Sequence, residues 1–311
     1  MDKTDRRILC VLDENCRTPI AEMARMLRVN RNVVSYRINR MKESGIIQKF
    51  LVSVDLGKFG YNTYKIYLRI KENHQLIDFL SSKKEMIHVI RLEGQYNLAA
   101  VYAARSIGEL HDLLMDLRTR FRNSIIELDV NILVYTNIYK LDKLLLDSGS
   151  QPKIERYSHE HMGLVLDETD RILMRAISQE ANISYVKLSE KTGFSMDIVK
   201  YRMKKLKKIC NFRIGYDRSK LGFFHHVILL RTESLTKPIE NKLLTWASFR
   251  REILYCTKAI GKHDLELNAA ITDISDLRRL IHDLQSEFGE MISTYSSLIV
   301  SDVLKLDYVP F

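Results

Sequence analysis

Residues 30–47 read Asn30-Arg31-Asn32-Val33-Val34-Ser35-Tyr36-Arg37-Ile38-Asn39-Arg40-Met41-Lys42-Glu43-Ser44-Gly45-Ile46-Ile47. Val34, Ile38 and Met41 recur at i, i+4 and i+7, the spacing of a helix with one buried face. Asn30 can cap its start, and Ser44-Gly45 ends it. The opposite face is basic: residues 25–49 hold seven Lys/Arg against Glu43 alone, a net of +6. Upstream, Ile8, Leu9 and Leu12 mark one amphipathic helix, with Asp2 and Asp5 in its first turn, where acids suit the helix dipole. Thr18-Pro19 starts a second helix over about 19–27. Downstream, Ile46 to Val54 predicts a short strand pair. Three short helices, a basic third helix and a small strand pair form the pattern of a winged helix-turn-helix. Its third helix enters the major groove of double-stranded DNA.

The pattern occurs twice. Asp2, Thr4, Asp5 and Arg6 fall on Asp167, Thr169, Asp170 and Arg171 at an offset of 165, which holds to Val34–Ile38 over Val199–Met203. Ser195 caps the second copy's third helix, with Val199, Met203 and Leu206 inward. The second copy then loses three residues, so Asp55, Lys58 and Gly60 fall on Asp217, Lys220 and Gly222 at 162. A tighter or distorted second wing is expected. Later the offset is 167: Gly94, Leu98, Leu110, Leu113, Leu117 and Phe121 match Gly261, Leu265, Leu277, Leu280, Leu284 and Phe288. Asp147-Ser148-Gly149-Ser150-Gln151-Pro152 reads as a linker.

After residue 60 the period becomes two. Tyr64, Ile66, Leu68 and Ile70 alternate with Lys65, Tyr67 and Arg69; a helix over about 74–82 follows, then strands near 87–92 and 97–103 around Gly94. Ser106-Ile107-Gly108-Glu109 is a capping box opening another helix, and Ile126 to Val134 alternate as a last strand. This β-α-β-β-α-β order is ferredoxin-like, and the second copy repeats it from about 223 to 306. The fold class is therefore α+β. The boundaries expected are 1–60, first helix-turn-helix; 61–146, first αβ domain; 147–163, linker; 164–222, second helix-turn-helix; and 223–311, second αβ domain.

The 311 residues carry a net charge of +10. Residues 187–220 add a net of +8, so both basic windows together exceed the whole chain and the remainder is net acidic. Two basic patches on an acidic body point to a polyanion. An apolar fraction of 46% excludes wholesale disorder, and the absence of an 18-residue apolar run excludes a membrane span. The opening residues have no apolar leader segment, and Cys10, Cys16, Cys210 and Cys256 form no C-x-x-C pair. A cytoplasmic protein with reduced thiols and no cofactor is expected. No Walker loop, G-x-G-x-x-G or G-x-S-x-G occurs. His159-x-His161 and His225-His226 lack the company of a metal site and are expected as surface or strand histidines.

On the third helix, Arg31, Asn32, Ser35, Tyr36 and Arg40 point outward or flank the seam. Arg suits guanine and Asn suits adenine, while Arg28, Lys42 and Lys49 are better placed for phosphates. In the second copy Met196 and Asp197 replace Arg31 and Asn32, while Lys200, Tyr201, Lys204, Lys205 and Lys208 keep the helix basic. A different base preference, or mainly backbone contact, is expected there. A solvated basic face is the plain alternative for either helix.

The opening D-x-x-D-R-x-I-L, Met23-Ala24, Val34-Ser35-Tyr36-Arg37-Ile38 and Gly45-Ile46-Ile47 resemble the Lrp/AsnC family of transcription regulators. The β-α-β-β-α-β unit resembles that family's RAM domain. Ordinary members carry one copy, so this chain resembles a tandem fusion. The resemblance implies sequence-specific DNA binding, self-association through RAM sheets and, in many members, an amino-acid effector at the loop between the second and third RAM strands. Here that loop is Gly94-Gln95-Tyr96-Asn97 and Gly261-Lys262-His263-Asp264. Asn97 and Asp264 could accept from an ammonium group, or each loop is a tight hairpin and nothing more. Pairing of the two RAM units within one chain is expected, with 126–129 facing 293–296; so is an asymmetric operator. Two rival functions share the architecture. One is a tetrapyrrole (siroheme-type) decarboxylase using His225, His226, His263 and nearby Arg and Tyr. The other is a non-specific DNA-architectural protein.

Overall fold

The computed structural model describes residues 1–146, 153–158, 162–233 and 235–310. The first copy opens with α1 (Lys3–Glu14), α2 (Ile20–Leu27) and α3 (Arg31–Glu43). Asp2 caps α1 by accepting from the Thr4 and Asp5 amides, and Asn30 caps α3 by accepting from Asn32. Next come β1 (Ile47–Val54), β2 (Asn62–Ile70), α4 (His74–Ser82), β3 (Met86–Glu93), β4 (Leu98–Ala104), α5 (Ile107–Arg120) and β5 (Ile125–Tyr139). The join holds α6 (Asp142–Leu145) and β6 (Ile154–Tyr157). The second copy repeats the order: α7 (Glu168–Gln179), α8 (Tyr185–Thr192), α9 (Met196–Leu206), β7 (Cys210–Tyr216), β8 (Phe224–Thr232), α10 (Lys237–Phe249), β9 (Ile253–Ile260), β10 (Leu265–Ile271), α11 (Ile274–Phe288) and β11 (Ile292–Leu306).

Neither copy folds back into a wing of its own. β1 pairs antiparallel with β7, so the expected strand pair forms between copies. The three missing residues therefore distort no wing. Both connections from helix to strand are three residues long; α9 is two residues shorter than α3, and β7 one shorter than β1. Leu51 lies opposite Arg213, its own equivalent at the 162 offset, so a pseudo-twofold axis crosses the ladder there. The helices of both copies and these strands share one core, including Ile8, Met23, Val34, Phe50, Leu173, Val199 and Phe212.

The αβ units close a ring. β5-β2-β4-β3 is the sheet of copy one and β11-β8-β10-β9 that of copy two; β3 pairs with β11, and β9 with β5. Each 15-residue last strand serves both sheets. Its first half pairs within its copy (Arg69↔Glu127, Leu230↔Tyr295) and its second half crosses (Ile132↔Ile260, Glu93↔Ile299). The segments 126–129 and 293–296 thus do not face one another; the crossing lies farther along each strand. The join is also less loop-like than expected, because β6 adds to β5 at Thr136–Tyr139. Residues 147–152 and His159 with His161 lie outside the described residues.

Strand alternation sorts the side chains. Tyr64, Ile66, Leu68 and Ile70 of β2 pack with α4 and α5, while Leu265, Leu267, Ala269 and Ile271 of β10 pack with α10 and α11. The other faces point into the ring. Tyr67, Ile90, Leu92, Tyr96, Ala99, Val227, Leu229 and Leu298 fill one end of it. Polar residues line the other end, where the β1–β7 ladder lies across the opening. Among the described residues, no helix is long and apolar enough to cross a membrane.

Candidate DNA interface and central cavity

α3 buries Val34, Ile38 and Met41, as the spacing requires, and exposes Arg31, Asn32, Tyr36 and Arg40. α9 buries Val199, Met203 and Leu206 and exposes Lys200, Tyr201, Lys204 and Lys205, with Lys208 exposed in the turn just beyond it. Tyr36 and Tyr201 are 66% and 72% exposed, the same position in two copies, each an aromatic ring left to solvent on a basic helix. Ser35 is half-buried. Asn39, exposed one turn beyond Ser35, joins this face; its exposure follows from the same helical spacing.

Part of the basic face is occupied by the fold. Buried Asp5 accepts from Arg37 (2.8 Å) and from Arg40 (2.7 Å). Asp170 repeats this with Arg202 (3.4 Å) and Lys205 (2.6 Å). The Asp5 amide and the Arg37 guanidinium hold the Asp2 carboxyl down at about 2. Arg40 and Lys205 thus clamp the reading helix to the first helix while remaining about half exposed. Lys42 lies over the Phe50 ring at 5.4 Å. Lys49, expected at phosphate, instead donates to the Leu306 carbonyl (3.1 Å), because its place on β1 turns it toward the αβ ring. Arg28 ends α2 with φ of +56°, where the second copy has Gly193.

The paired loops behave as turns that lock the ring. Asn97 accepts from the Ile70 amide (2.8 Å) and donates to the Ile70 carbonyl (2.7 Å). Asp264 accepts from the Thr232 amide (2.7 Å) and hydroxyl (3.0 Å). Both side chains are therefore committed to the end of the first strand of their unit rather than presented to an ammonium group. Gly94 and Gly261 sit where the copies cross: a Cβ at Gly261 would lie 2.7 Å from the Val130 carbonyl oxygen, and one at Gly94 2.5 Å from Leu298. Tyr96 is buried and donates to Asp129 (2.6 Å). Lys262 reaches Glu127 (2.7 Å) and Asp129 (2.8 Å) and lies over the Tyr96 ring at 5.3 Å. Gln95 donates to the Ser296 hydroxyl (3.0 Å), and His263 stands edge-on to Tyr67 and Tyr96.

A second site was not expected as such. Between the β1–β7 ladder and the open end of the ring lies a cavity of about 220 Å³, lined by Lys65, His88, Arg213, Arg218, His225 and Glu266 with Tyr157, Tyr216, Tyr255 and Tyr308. Its charges are mostly matched. Arg213 pairs with Asp13 (3.0 Å), and Lys65 pairs with Glu266, which also accepts from Tyr67 and Asn268. The Arg218 guanidinium makes no hydrogen bond among the described residues and lies 5.2 Å from the Tyr216 ring. His225 contacts Asn268 through Nε2 (2.9 Å), and its Nδ1 has no partner. His226 faces away and contacts Ser297 (3.0 Å). Burial first, then the Lys65 and Arg218 cations, push His88 down to about 3; burial and Arg218 hold His225 well below the usual histidine range.

Two regions of the chain, residues 1–48 and 166–209, match the family described as winged helix-turn-helix DNA-binding. The regulatory protein AsnC of Haemophilus influenzae is 33% identical over 118 residues, covering 37% of this chain and 79% of that protein. The chain belongs to the Lrp/AsnC family. An HTH-type transcriptional regulator of Pyrococcus horikoshii, also similar, is 26% identical over 128 residues, covering 40% of this chain and 86% of that one. Each of these relatives aligns over less than half of this Lrp/AsnC chain, and the family's helix-turn-helix matches it twice. Its whole length matches the fold of the siroheme decarboxylase NirDL, with a TM-score of 0.64 and 13% identity over 99% of this chain and 94% of that one. At that identity the likeness concerns architecture.

Proposed function

We propose that this Lrp/AsnC protein is a sequence-specific transcriptional regulator whose α3 and α9 read two unequal half-sites of one operator. The observation that carries this reading is the joining of two exposed reading helices through the β1–β7 pair and a shared core. A joined pair presents its helices at a fixed separation, which a duplex matches only at a set spacing. The outward chemistry differs between copies: Arg31 against Met196, Asn32 against Asp197 and Ser35 against Lys200, with Tyr36 and Tyr201 alike. Arg28, Arg31, Asn32 and Lys42 serve copy one, and Lys200, Lys204 and Lys208 serve copy two.

Selection of bound sequences from a random pool tests this. Two dissimilar half-sites a whole number of turns apart are expected. One half-site repeated as a simple palindrome would overturn the reading. Asn32→Ala should relax preference at one position by about 1–3 kcal/mol. Equal binding of selected and scrambled duplexes would instead identify a DNA-architectural protein.

A decarboxylase of tetrapyrroles is the second reading, favoured by His225 and two arginines around one cavity. The cavity is smaller than the roughly 300–1,000 Å³ of ordinary ligand pockets, and His226 and His263 lie outside its lining. A Soret-type band in the purified protein would support that reading.

A further inference from the structure

The repeat gives each cavity residue a counterpart across the pseudo-twofold axis, and the two halves are chemically unlike. Arg213, Tyr216, Arg218, His225, Glu266 and Asn268 of copy two correspond to Leu51, Val54, Leu56, Thr63, Ala99 and Val101 of copy one. A pair of equal halves filling a core would place apolar residues at both sets of positions. Here the copy-two members of these pairs are polar and their counterparts, Thr63 apart, are apolar; together with Lys65 and His88 of copy one they give the cavity a polar wall beside a greasy one. That is the anatomy of a ligand pocket. Its volume far exceeds the about 10–15 Å³ that a single water needs.

The polar wall has unused capacity. The two ion pairs leave Arg218 as a cation without an anion. Arg218 is half-buried with its Nε enclosed and unpartnered; leaving such a donor unsatisfied is costly, and a carboxylate is its natural complement. The His88 imidazole makes no hydrogen bond among the described residues. Asn268 donates to Glu266 through Nδ2 (2.8 Å), which leaves its Oδ1 to accept from His225 Nε2. The imidazole proton then sits on Nε2, and the unpartnered Nδ1 presents a lone pair. An occupant therefore meets a cationic donor and a neutral acceptor side by side.

We propose that this cavity is a binding site for a small hydroxycarboxylate, its carboxylate on Arg218 and its hydroxyl donating to His225 Nδ1, with its hydrocarbon part against Leu51, Val54 and Val101. The surplus positive charge disfavours an ammonium group, so a free amino acid is the poorer ligand. The occupant touches both the β1–β7 ladder, which carries the helix-turn-helix units, and the αβ ring beneath it. It is thus placed to set one against the other; this regulatory part rests on the function proposed above, whereas binding does not.

The test uses the full chain without DNA, so that failure of DNA binding leaves it readable. 2-Hydroxyisobutyrate, 2-hydroxyisocaproate and mandelate are titrated by calorimetry, with their amides and leucine as controls, and histidine ring ¹⁵N signals are recorded. At least one acid should bind saturably, shift the His88 and His225 signals and leave that of His74 in place. Its amide and leucine should bind about tenfold more weakly or worse. Arg218→Gln should weaken the acid by a similar factor, and His225→Phe should abolish the preference for hydroxy over deoxy acids, both with unfolding midpoints near that of the parent. No saturable binding by any of the three acids below ~10 mM, unmoved cavity histidines, or undiminished binding to folded Arg218→Gln would overturn the proposal.

Discussion

At the scale of single residues, Arg28 stands out. It adopts a left-handed backbone conformation that its counterpart Gly193 takes without a Cβ penalty. Arg28→Gly should therefore stabilise the fold by up to about 1 kcal/mol and, if Arg28 reaches phosphate, weaken DNA binding on all sequences alike. Urea unfolding and a salt titration of binding measure the two effects separately. A second residue prediction concerns acid. His88 is neutral when folded, with Lys65, Arg218, His225 and Glu266 around it. Its folded pKa, about 3, lies below the unfolded value of 6.5, so the unfolded chain binds more protons between them and stability falls as pH drops below about 6.5. His88 alone should account for about 2 kcal/mol of loss between pH 7 and pH 5; His225 adds to the slope in the same window, so His88→Gln should make that part of the pH–stability curve shallower without flattening it.

At the scale of elements, the copies are joined by contacts that differ in their tolerance. Asp13 on α1 of copy one neutralises Arg213 on β7 of copy two, and both are buried. Asp13→Ala should cost about 3–5 kcal/mol, because it strands a buried cation; denaturant midpoints report it. Gly60 and Gly261 both have positive φ, yet only Gly261 has backbone against its missing side chain. Gly60→Ala should lose about 1–2 kcal/mol, and Gly261→Ala more, with a change in near-ultraviolet dichroism as the crossing of β5 and β9 shifts. Helix identity was legible in the sequence to within a residue or two at α3 and α4, because caps and spacing are local. The partner of β1 was not, because a strand's hydrophobic pattern states which face is buried and leaves open which edge pairs. Lys49 was misplaced for that reason. The cavity is not legible in any one stretch of sequence, because its residues are spread over all eleven strands. Its signal was present in the repeat itself, as polar residues of copy two over apolar residues of copy one.

At the scale of the whole molecule, the closed ring and shared core make either copy incomplete alone. A fragment of residues 1–146 would expose β1, β3 and β5 along their pairing edges. Those edges already fit a second copy of the same unit, since Glu93↔Ile299 and Ile132↔Ile260 are one register seen from both sides. Such a homodimer would set Leu51 against Leu51 on the axis and leave Asp13 and Lys65 without Arg213 and Glu266. The fragment should therefore dimerise far more weakly than the copies pair in the full chain, as light scattering across a concentration series would report.

The same axis treats the second copy differently. Two copies of residues 164–310 placed together would set Arg213 against Arg213 inside the core. Nothing would neutralise them, because Ser178 holds the position of Asp13. The first copy paired with itself would in turn strand Asp13 and Lys65, whose partners Arg213 and Glu266 belong to the second copy, so only the mixed pair neutralises every buried charge. The order of association is thus written into two buried charge pairs, and the tandem arrangement has become a matter of mate choice as well as of covalent tethering.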